Sequence, residues 1–376
     1  MKNLILHNQS NNQEKKGDYA LLIAVVLLAV IGAIFIYSAS NYSAEATYND
    51  PFYFVKKQVV GILLGVVAMI FTANFRCDKL KKFCIPLSVA SFVLLLLVFV
   101  PGIGIENYGA KRWIGVGGIS VQPSEIAKFS LILFSATYLS KNKEKVRTFL
   151  GVIPVLVFGG VTCLLIIIEP NMSITVCVAM LTFTMLLAAG MRIKHLAFLI
   201  IPAFIAGVVL ILIEPYRLNR LAAFVNPWSN PKGEGYQLLQ SLYALGSGGL
   251  FGVGLFNSRQ KFAFLPFSES DFILSVIGEE IGFIGLVFFF ALLYFIVYRG
   301  LKIASRANDT FAYLLAVGIT MIFGIQTVIN TLVVTGSIPP TGLSLPLVSS
   351  GNTSIIIFMA EMGVLFNVSK RGSLTF

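Results

Sequence analysis

The chain has 376 residues, of which 57% are hydrophobic and 12% are charged. A soluble globular domain carries roughly 25% charged residues, so this composition excludes an ordinary water-soluble protein and indicates a membrane protein. The formal net charge is +11, but the basic residues stand in short clusters between long apolar runs, a distribution typical of topology signals and not of nucleic-acid binding.

Ten apolar segments follow one another along the chain, each near the length of about 20 residues that a helix needs to cross a bilayer. They cover residues 18–40, 55–74, 83–101, 121–140, 149–168, 172–190, 195–213, 272–298, 310–334 and 342–367. The expected fold class is an all-α polytopic membrane protein with one transmembrane domain, 18–367, and short tails at 1–17 and 368–376. An even number of spans places both tails on one side of the membrane.

The side of the tails is predicted by lysine and arginine, which are enriched in cytoplasmic connections. Of the 28 basic residues, 18 fall in the tails or in the alternate connections on the same side. These are Lys2, Lys15, Lys16, Arg76, Lys79, Lys81, Lys82, Lys141, Lys143, Lys145, Arg147, Arg192, Lys194, Arg299, Lys302, Arg306, Lys370 and Arg371. Both termini are therefore expected to be cytoplasmic, in a multi-pass protein of the cytoplasmic membrane.

One long connection, 214–271, joins the seventh and eighth spans and is expected to be extracytoplasmic. Proline, glycine and asparagine residues between Asn226 and Gly235 break helices there, while 236–245 is predicted to form a short amphipathic helix at the membrane interface. Long loops of this kind are often functional.

Ten basic residues fall outside the cytoplasmic set, and several of them flank spans that would meet at the outer surface. They are Lys56, Lys57, Lys111, Arg112, Lys128, Arg217, Arg220, Lys232, Arg259 and Lys261. Each one taken alone is also explained by attraction to anionic headgroups of membrane lipids. Together they predict an anion site suited to a lipid diphosphate, which needs charge-assisted hydrogen bonds.

Asp271 stands at the boundary between the long outer connection and the eighth span. One interpretation is a helix N-cap, for which aspartate is a preferred residue type. The other is a general base, a carboxylate that takes a proton from a reacting hydroxyl. Glu269 is close enough in sequence to share that task.

Several ionisable residues lie within predicted spans, where a charge is expensive and often functional. Glu125 and Lys128 are three residues apart and are expected to pair on one helical face, as a structural ion pair or as part of a substrate site. Glu279 and Glu280 are expected to pack against other polar groups. Glu361, in the last span, has no partner that the sequence identifies.

A set of short motifs in chain order resembles the SEDS family (shape, elongation, division, sporulation), which contains FtsW, RodA and SpoVE. The motifs are Gly109-Ala110-Lys111-Arg112-Trp113-Ile114, Gln122-Pro123-Ser124-Glu125, Asn226-Pro227-Trp228, Gly235-Tyr236-Gln237, Gly248-Gly249-Leu250-Phe251-Gly252, Ser258-Arg259-Gln260-Lys261, Asp271-Phe272-Ile273, Gly278-Glu279-Glu280, Pro340-Thr341-Gly342 and Leu345-Pro346. The match is closer to the division and sporulation branch than to RodA. The sequence departs from the family pattern at Asn171, Phe267 and Asn352.

The resemblance implies a ten-span peptidoglycan glycosyltransferase that uses lipid II and works with a class B penicillin-binding protein, a transpeptidase. It assigns the family's essential aspartate to Asp271 and the family's fourth-span pair to Glu125 and Lys128.

In the enzyme interpretation the growing glycan strand is the donor and the 4-hydroxyl of incoming lipid II is the acceptor. Arg112, Arg217, Arg220 and Lys261 are expected to hold diphosphates, with Lys111 and Arg259 as further substrate-binding candidates. A divalent cation, Mg²⁺ or Mn²⁺, is a candidate cofactor at Asp271, and no organic cofactor is expected. Two alternatives stay open: a lipid II flippase, and a scaffold that recruits the transpeptidase without catalysis.

Overall fold

The computed structural model describes residues 17–371 apart from 108, 109, 117, 118 and 263. Within these residues the chain forms twelve α-helices and a three-stranded sheet. The helices are α1 (Tyr19–Tyr48), α2 (Tyr53–Asn74), α3 (Cys77–Leu97), α4 (Pro123–Lys141), α5 (Phe149–Ile168), α6 (Met172–Ala188), α7 (Ile193–Ile213), α8 (Pro215–Val225), α9 (Tyr236–Gly248), α10 (Ile273–Ser305), α11 (Thr310–Val334) and α12 (Asn352–Arg371). The predicted tails at 1–16 and 372–376 lie outside the described residues.

Helices occupy all ten predicted spans, so the polytopic helical fold is confirmed. Eight of these helices are long and apolar enough to cross a membrane, α6 is apolar but has 17 residues, and α4 carries an ion pair near its start. Several boundaries were wrong. The first helix continues to Tyr48, α3 runs from Cys77 to Leu97, and α10 continues to Ser305. The last helix begins at Asn352 because the apolar stretch 342–351 is not helical.

The start of α1 and the end of α12 lie at the same end of the bundle. The backbone N–H of Asp18 donates to Ser369 Oγ at 2.9 Å, and the Asp18 carboxylate accepts from Arg299 Nε at 2.8 Å. The same carboxylate caps α1 by accepting from the backbone N–H of Leu21 at 3.1 Å. These contacts agree with an even number of spans.

A small antiparallel sheet, which the sequence did not predict, connects α3 to α4. Its strands are β1 (Gly104–Asn107), β2 (Ala110–Val116) and β3 (Ile119–Val121), in the order β1-β2-β3. Thr353 at the start of α12 anchors the sheet, since its hydroxyl donates to the Ser120 carbonyl at 3.0 Å and accepts from the Gln122 N–H at 3.3 Å. The sheet therefore holds Lys111 and Arg112 at the end of the bundle opposite the start of α1 and the end of α12.

The long connection between α7 and α10 folds into α8, α9 and a loop that enters the next span. The predicted helix at 236–245 is confirmed as α9, which extends to Gly248. Beyond it, residues 249–254 insert beside a break in α10 at Gly282, where φ is +66°. Glycine adopts that left-handed conformation without the steric strain that a side chain brings.

Candidate active site

Asp271 lies in the segment that leads into α10 but does not cap the helix. The N-cap residue is Phe272 and the helix has no side-chain cap, so the capping interpretation is wrong. The carboxylate instead faces Gly342, where a Cβ atom would lie 3.1 Å from Asp271 Oδ2. Gly342 has φ of +69°, a second reason for glycine at this position.

The electrostatics of Asp271 differ from those of an exposed aspartate. The pKa of its carboxyl is raised to about 6, mainly by burial and in smaller part by the neighbouring Glu269. Arg112 and Arg220 act in the opposite direction and lower that pKa. At neutral pH the carboxylate is therefore ionised yet more basic than usual, a combination that suits a general base.

The two arginines reach this site from elements that are far apart in sequence. Arg112 on β2 donates from Nε to the Glu169 carbonyl at 3.3 Å and from Nη2 to the Pro170 carbonyl. Arg220 on α8 donates from Nη1 to the Pro340 carbonyl at 3.1 Å. These main-chain contacts fix the guanidinium groups of both arginines near Asp271.

Glu169 is a site residue that the sequence analysis missed. It follows α5 directly, its side chain is 0% exposed, and neither carboxylate oxygen has a hydrogen-bond partner. Burial raises the pKa of Glu169 to about 8, while Arg112 lowers it. The sequence signal was an acidic residue between an apolar span and a proline. Asn171, one of the departures from the family pattern, caps α6 by accepting from the Ile174 N–H at 3.4 Å.

The other predicted cations divide between two places. Lys111 is exposed on β2 beside Arg112, and Arg217 lies on α8 one turn before Arg220. Arg259 and Lys261 lie in the loop after α9 and are not among the groups that act on Asp271. Arg259 is exposed, whereas Lys261 is 5% exposed and donates to the Phe256 carbonyl.

Glu279 and Glu280 on α10 accept hydrogen bonds from the loop after α9. Glu279 accepts from the hydroxyl of Ser258 and from the backbone N–H of Arg259 at 3.0 Å. Glu280 accepts from the backbone N–H of Ser258 at 3.3 Å and from the hydroxyl of Ser38 on α1. Both carboxylates thus pack against polar groups, as the sequence predicted.

The predicted ion pair in α4 is confirmed. Lys128 Nζ lies 2.7 Å from Glu125 Oε1, and both side chains are 2% exposed. Lys128 also donates to Gln326 Oε1 at 2.7 Å, a contact from α11 that the sequence did not indicate. Glu361 is buried on α12, and the charged groups that act on it are Lys128 and Glu125.

The non-helical segment 342–351 packs along the backbone that carries Asp271. Ser349 Oγ donates to the Ser270 carbonyl at 2.6 Å, and the Ser350 N–H donates to the Glu269 carbonyl at 2.9 Å. The Ser349 hydroxyl also accepts from the Leu345 N–H at 2.7 Å. The apolar run that resembled a span start is therefore a buried support for the site.

The acidic groups at this site could bind a metal ion only together with other ligands, such as substrate phosphates. Within the described part of the chain, no three His, Cys, Asp or Glu side chains come together as a ligand set. Asp271 and Glu269 are neighbouring carboxylates that act on each other. Mg²⁺ is often bound by one or two carboxylates together with substrate phosphates, so these two residues fit such an ion.

Comparison with known proteins gives consistent matches along the chain. The family model FTSW_RODA_SPOVE, described as cell cycle protein, matches residues 19–373. Stage V sporulation protein E of Bacillus subtilis is 40% identical over 354 residues, which are 94% of this chain and 97% of that protein. A probable peptidoglycan glycosyltransferase FtsW of Trichlorobacter lovleyi is 39% identical over 353 residues, covering 94% and 93%.

Among solved structures, one similar chain comes from work described as structural coordination of polymerization and crosslinking by a peptidoglycan synthase complex. The match has a TM-score of 0.76 and 26% sequence identity, and it covers 94% of this chain and 97% of that one.

Proposed function

We propose that this chain, which belongs to the family of the FtsW, RodA and SpoVE cell cycle proteins, is a peptidoglycan glycosyltransferase. It joins lipid II units into glycan strands on the outer face of the cytoplasmic membrane, in cell division or sporulation. The residue assignment rests on the Asp271 carboxylate. This group is half-buried and its pKa is raised, while the positive charges of Arg112 and Arg220 lower that pKa.

In the proposed reaction Asp271 is the general base. It takes the proton from the 4-hydroxyl of the incoming lipid II as that oxygen forms a bond to the anomeric carbon of the growing glycan. The bond from this carbon to undecaprenyl diphosphate breaks, and the diphosphate leaves with the electron pair. A carboxylate with a pKa of about 6 is ionised at neutral pH and accepts a proton more readily than an ordinary aspartate.

The leaving diphosphate carries negative charge that must be stabilised. Arg112 and Arg220 are assigned to it, because planar guanidinium groups form paired hydrogen bonds to phosphate oxygens. Lys111 and Arg217 are assigned as additional contacts because they neighbour these arginines in sequence. Arg259 and Lys261 belong to the proposal as contacts of the lipid-linked substrate outside this cluster. Glu125 and Lys128 support the site from within α4.

In the alternative to the general-base role, Asp271 and Glu269 would hold a divalent cation, Mg²⁺ or Mn²⁺, shared with substrate phosphates. When bound, such an ion supplies positive charge that stabilises the leaving diphosphate.

A class B penicillin-binding protein is the proposed partner. The structure with a TM-score of 0.76 belongs to a complex that polymerises and crosslinks, and crosslinking is the reaction of a transpeptidase. Membrane lipids are the proposed surroundings of the bundle. The basic residues stand in short clusters between apolar runs, a pattern that does not indicate nucleic-acid binding.

The flippase alternative requires intramembrane polar residues that face a path for the headgroup. Glu125 and Lys128 neutralise each other, and Glu279 and Glu280 accept hydrogen bonds from the loop after α9. These contacts support a structural role for the four residues. Purified protein with labelled lipid II in vesicles separates the candidates. We expect polymer. Transbilayer movement without polymer supports a flippase, and the absence of both polymer and movement supports a scaffold.

The outer-face mechanism also requires the proposed topology. A reporter fused near Lys232 is expected to be extracytoplasmic, and one at Phe376 cytoplasmic, because basic residues favour the side of the tails. A cytoplasmic signal at Lys232 contradicts the mechanism.

A further inference from the structure

Two amide side chains on α11, Gln326 and Asn330, lie one helical turn apart and are 0% exposed. Burying an amide in a membrane helix is costly unless its polar atoms find partners. Both amides are therefore expected to make hydrogen bonds that matter for the fold or for the site.

Asn330 uses its amide to join two segments that meet at Asp271. Its Nδ2 donates to the backbone carbonyl of Asp271 at 2.8 Å and to the carbonyl of Leu343 at 2.6 Å. Gly342, the residue before Leu343, is the one that faces Asp271 Oδ2. A single side chain thus sets the backbone on both sides of the carboxylate.

Gln326 connects the same region to the ion pair in α4. Its Oε1 accepts from Lys128 Nζ at 2.7 Å, and its Nε2 donates to the Ser344 carbonyl at 3.1 Å. Two side chains of α11 therefore bind the segment that begins at Leu343. They donate to two consecutive carbonyls, those of Leu343 and Ser344.

We propose that Asn330 is the positioning residue for Asp271: its side-chain amide fixes the backbone from which the carboxylate projects and the segment that the carboxylate faces. The assignment deepens the proposed glycosyltransferase function and rests on it. Asn330 acts through Asp271 and does not contact the reacting groups, so its loss affects the chemical step more than substrate binding.

The test uses Asn330→Leu, which has a similar size but cannot donate to either carbonyl. The matched control is Thr327→Val on the same helix, since the Thr327 hydroxyl donates within α11, to the Phe323 carbonyl at 2.8 Å. In purified protein with labelled lipid II, Asn330→Leu is expected to lower kcat on the order of 10²-fold and leave KM within about twofold. Thr327→Val keeps kcat within about twofold.

A wild-type kcat per folded molecule in Asn330→Leu overturns the proposal. If Asn330→Leu does not fold, Asn330→Asp is measured instead, and failure of both to fold also overturns it, because Asn330 is then required by the whole bundle.

Hydrogen exchange distinguishes this proposal from the function on which it rests. In Asn330→Leu, amides of 267–273 and 343–350 are expected to exchange at least about tenfold faster than in wild type, with other segments unchanged. If the wild-type protein makes no polymer, the proposed function fails and the exchange result alone decides the positioning role. Unchanged exchange in both segments overturns that role.

Discussion

Two charged centres in the bundle are built differently, the Glu125–Lys128 pair in α4 and Asp271 in the segment before α10. In the pair, opposite charges lie 2.7 Å apart with 2% exposure, and Gln326 accepts a further hydrogen bond from the lysine. Asp271 is half-buried and keeps a raised pKa although two arginines act on it. The first centre is buried and has no net charge, whereas the second is a partly accessible carboxylate. Substitutions are therefore expected to affect stability at the first centre and activity at the second.

The largest expected effect is on the buried pair. Glu125→Ala or Lys128→Ala leaves one buried charge without its partner, which costs about 3–5 kcal/mol of stability. The double variant Glu125→Lys with Lys128→Glu restores a pair and is expected to cost less than either single change. Thermal unfolding of the purified proteins in detergent measures the difference. Equal stability of all three variants would show that the pair is dispensable.

The next effect concerns the accessible carboxylate. Because Asp271 does not cap α10, Asp271→Asn keeps the shape of the side chain and removes its charge and proton acceptance. Polymerisation of lipid II is expected to fall about a hundredfold or more, equivalent to about 2.7 kcal/mol of activation free energy, while insertion and partner binding persist. In wild type, kcat is expected to fall as pH drops through about 6, since the base becomes protonated.

Glu269 supplies the control for that experiment. Glu269→Gln is expected to reduce kcat less than Asp271→Asn and to add little to it, because Glu269 is the carboxylate that acts on Asp271 and would only assist it. Wild-type polymerisation by Asp271→Asn would remove the base assignment and direct attention to Glu125 and Glu279.

A smaller, pH-dependent effect is expected at Glu169. Its pKa is raised from 4.5 to about 8 in the folded protein, so between these values the folded state binds more protons than the unfolded state and stability falls as pH rises. Glu169→Gln removes this ionisable group, so the decrease of Tm from pH 5 to 9 should become smaller. Exposed Glu144→Gln is the matched control, and an unchanged slope in Glu169→Gln contradicts the assignment.

The smallest effect is expected at the end of the bundle where α1 begins and α12 ends. The Asp18–Arg299 ion pair is partly exposed, at 10% and 25%, and pairs in such positions contribute at most about 1 kcal/mol. Arg299→Gln should therefore lower stability by no more than that and leave kcat unchanged. A kcat loss in Arg299→Gln would show that this end is coupled to the site around Asp271.

Local patterns predicted the spans and the pair in α4. Apolar runs of span length indicate helices directly, and a spacing of three residues brings Glu125 and Lys128 to one helical face. The same rule was wrong for 342–351, where an apolar run is a buried support rather than a helix.

Distant contacts were not predictable in this way. Gln326 lies 198 residues from Lys128, and Asn330 lies 59 residues from Asp271, so only the folded bundle shows that they meet. The sheet escaped prediction because its strands have only 3–7 residues. Glu169 was missed because its burial beside Arg112 is visible only in the folded bundle, although an acidic residue between an apolar span and Pro170 was a local signal.

The break at Gly282 constrains how the eighth span can be made. An unbroken helix would bond the Phe283 and Ile284 N–H groups to the carbonyls of Glu279 and Glu280. Here those carbonyls accept from the N–H groups of Val253 and Gly254, and the freed N–H groups donate to Gly249 and Leu250, at 2.9–3.1 Å.

Main-chain groups left open in lipid cost several kcal/mol each, and the partners that satisfy them come from the loop after α9. In the folded protein the main-chain hydrogen bonds of the eighth span are therefore completed only by the preceding loop.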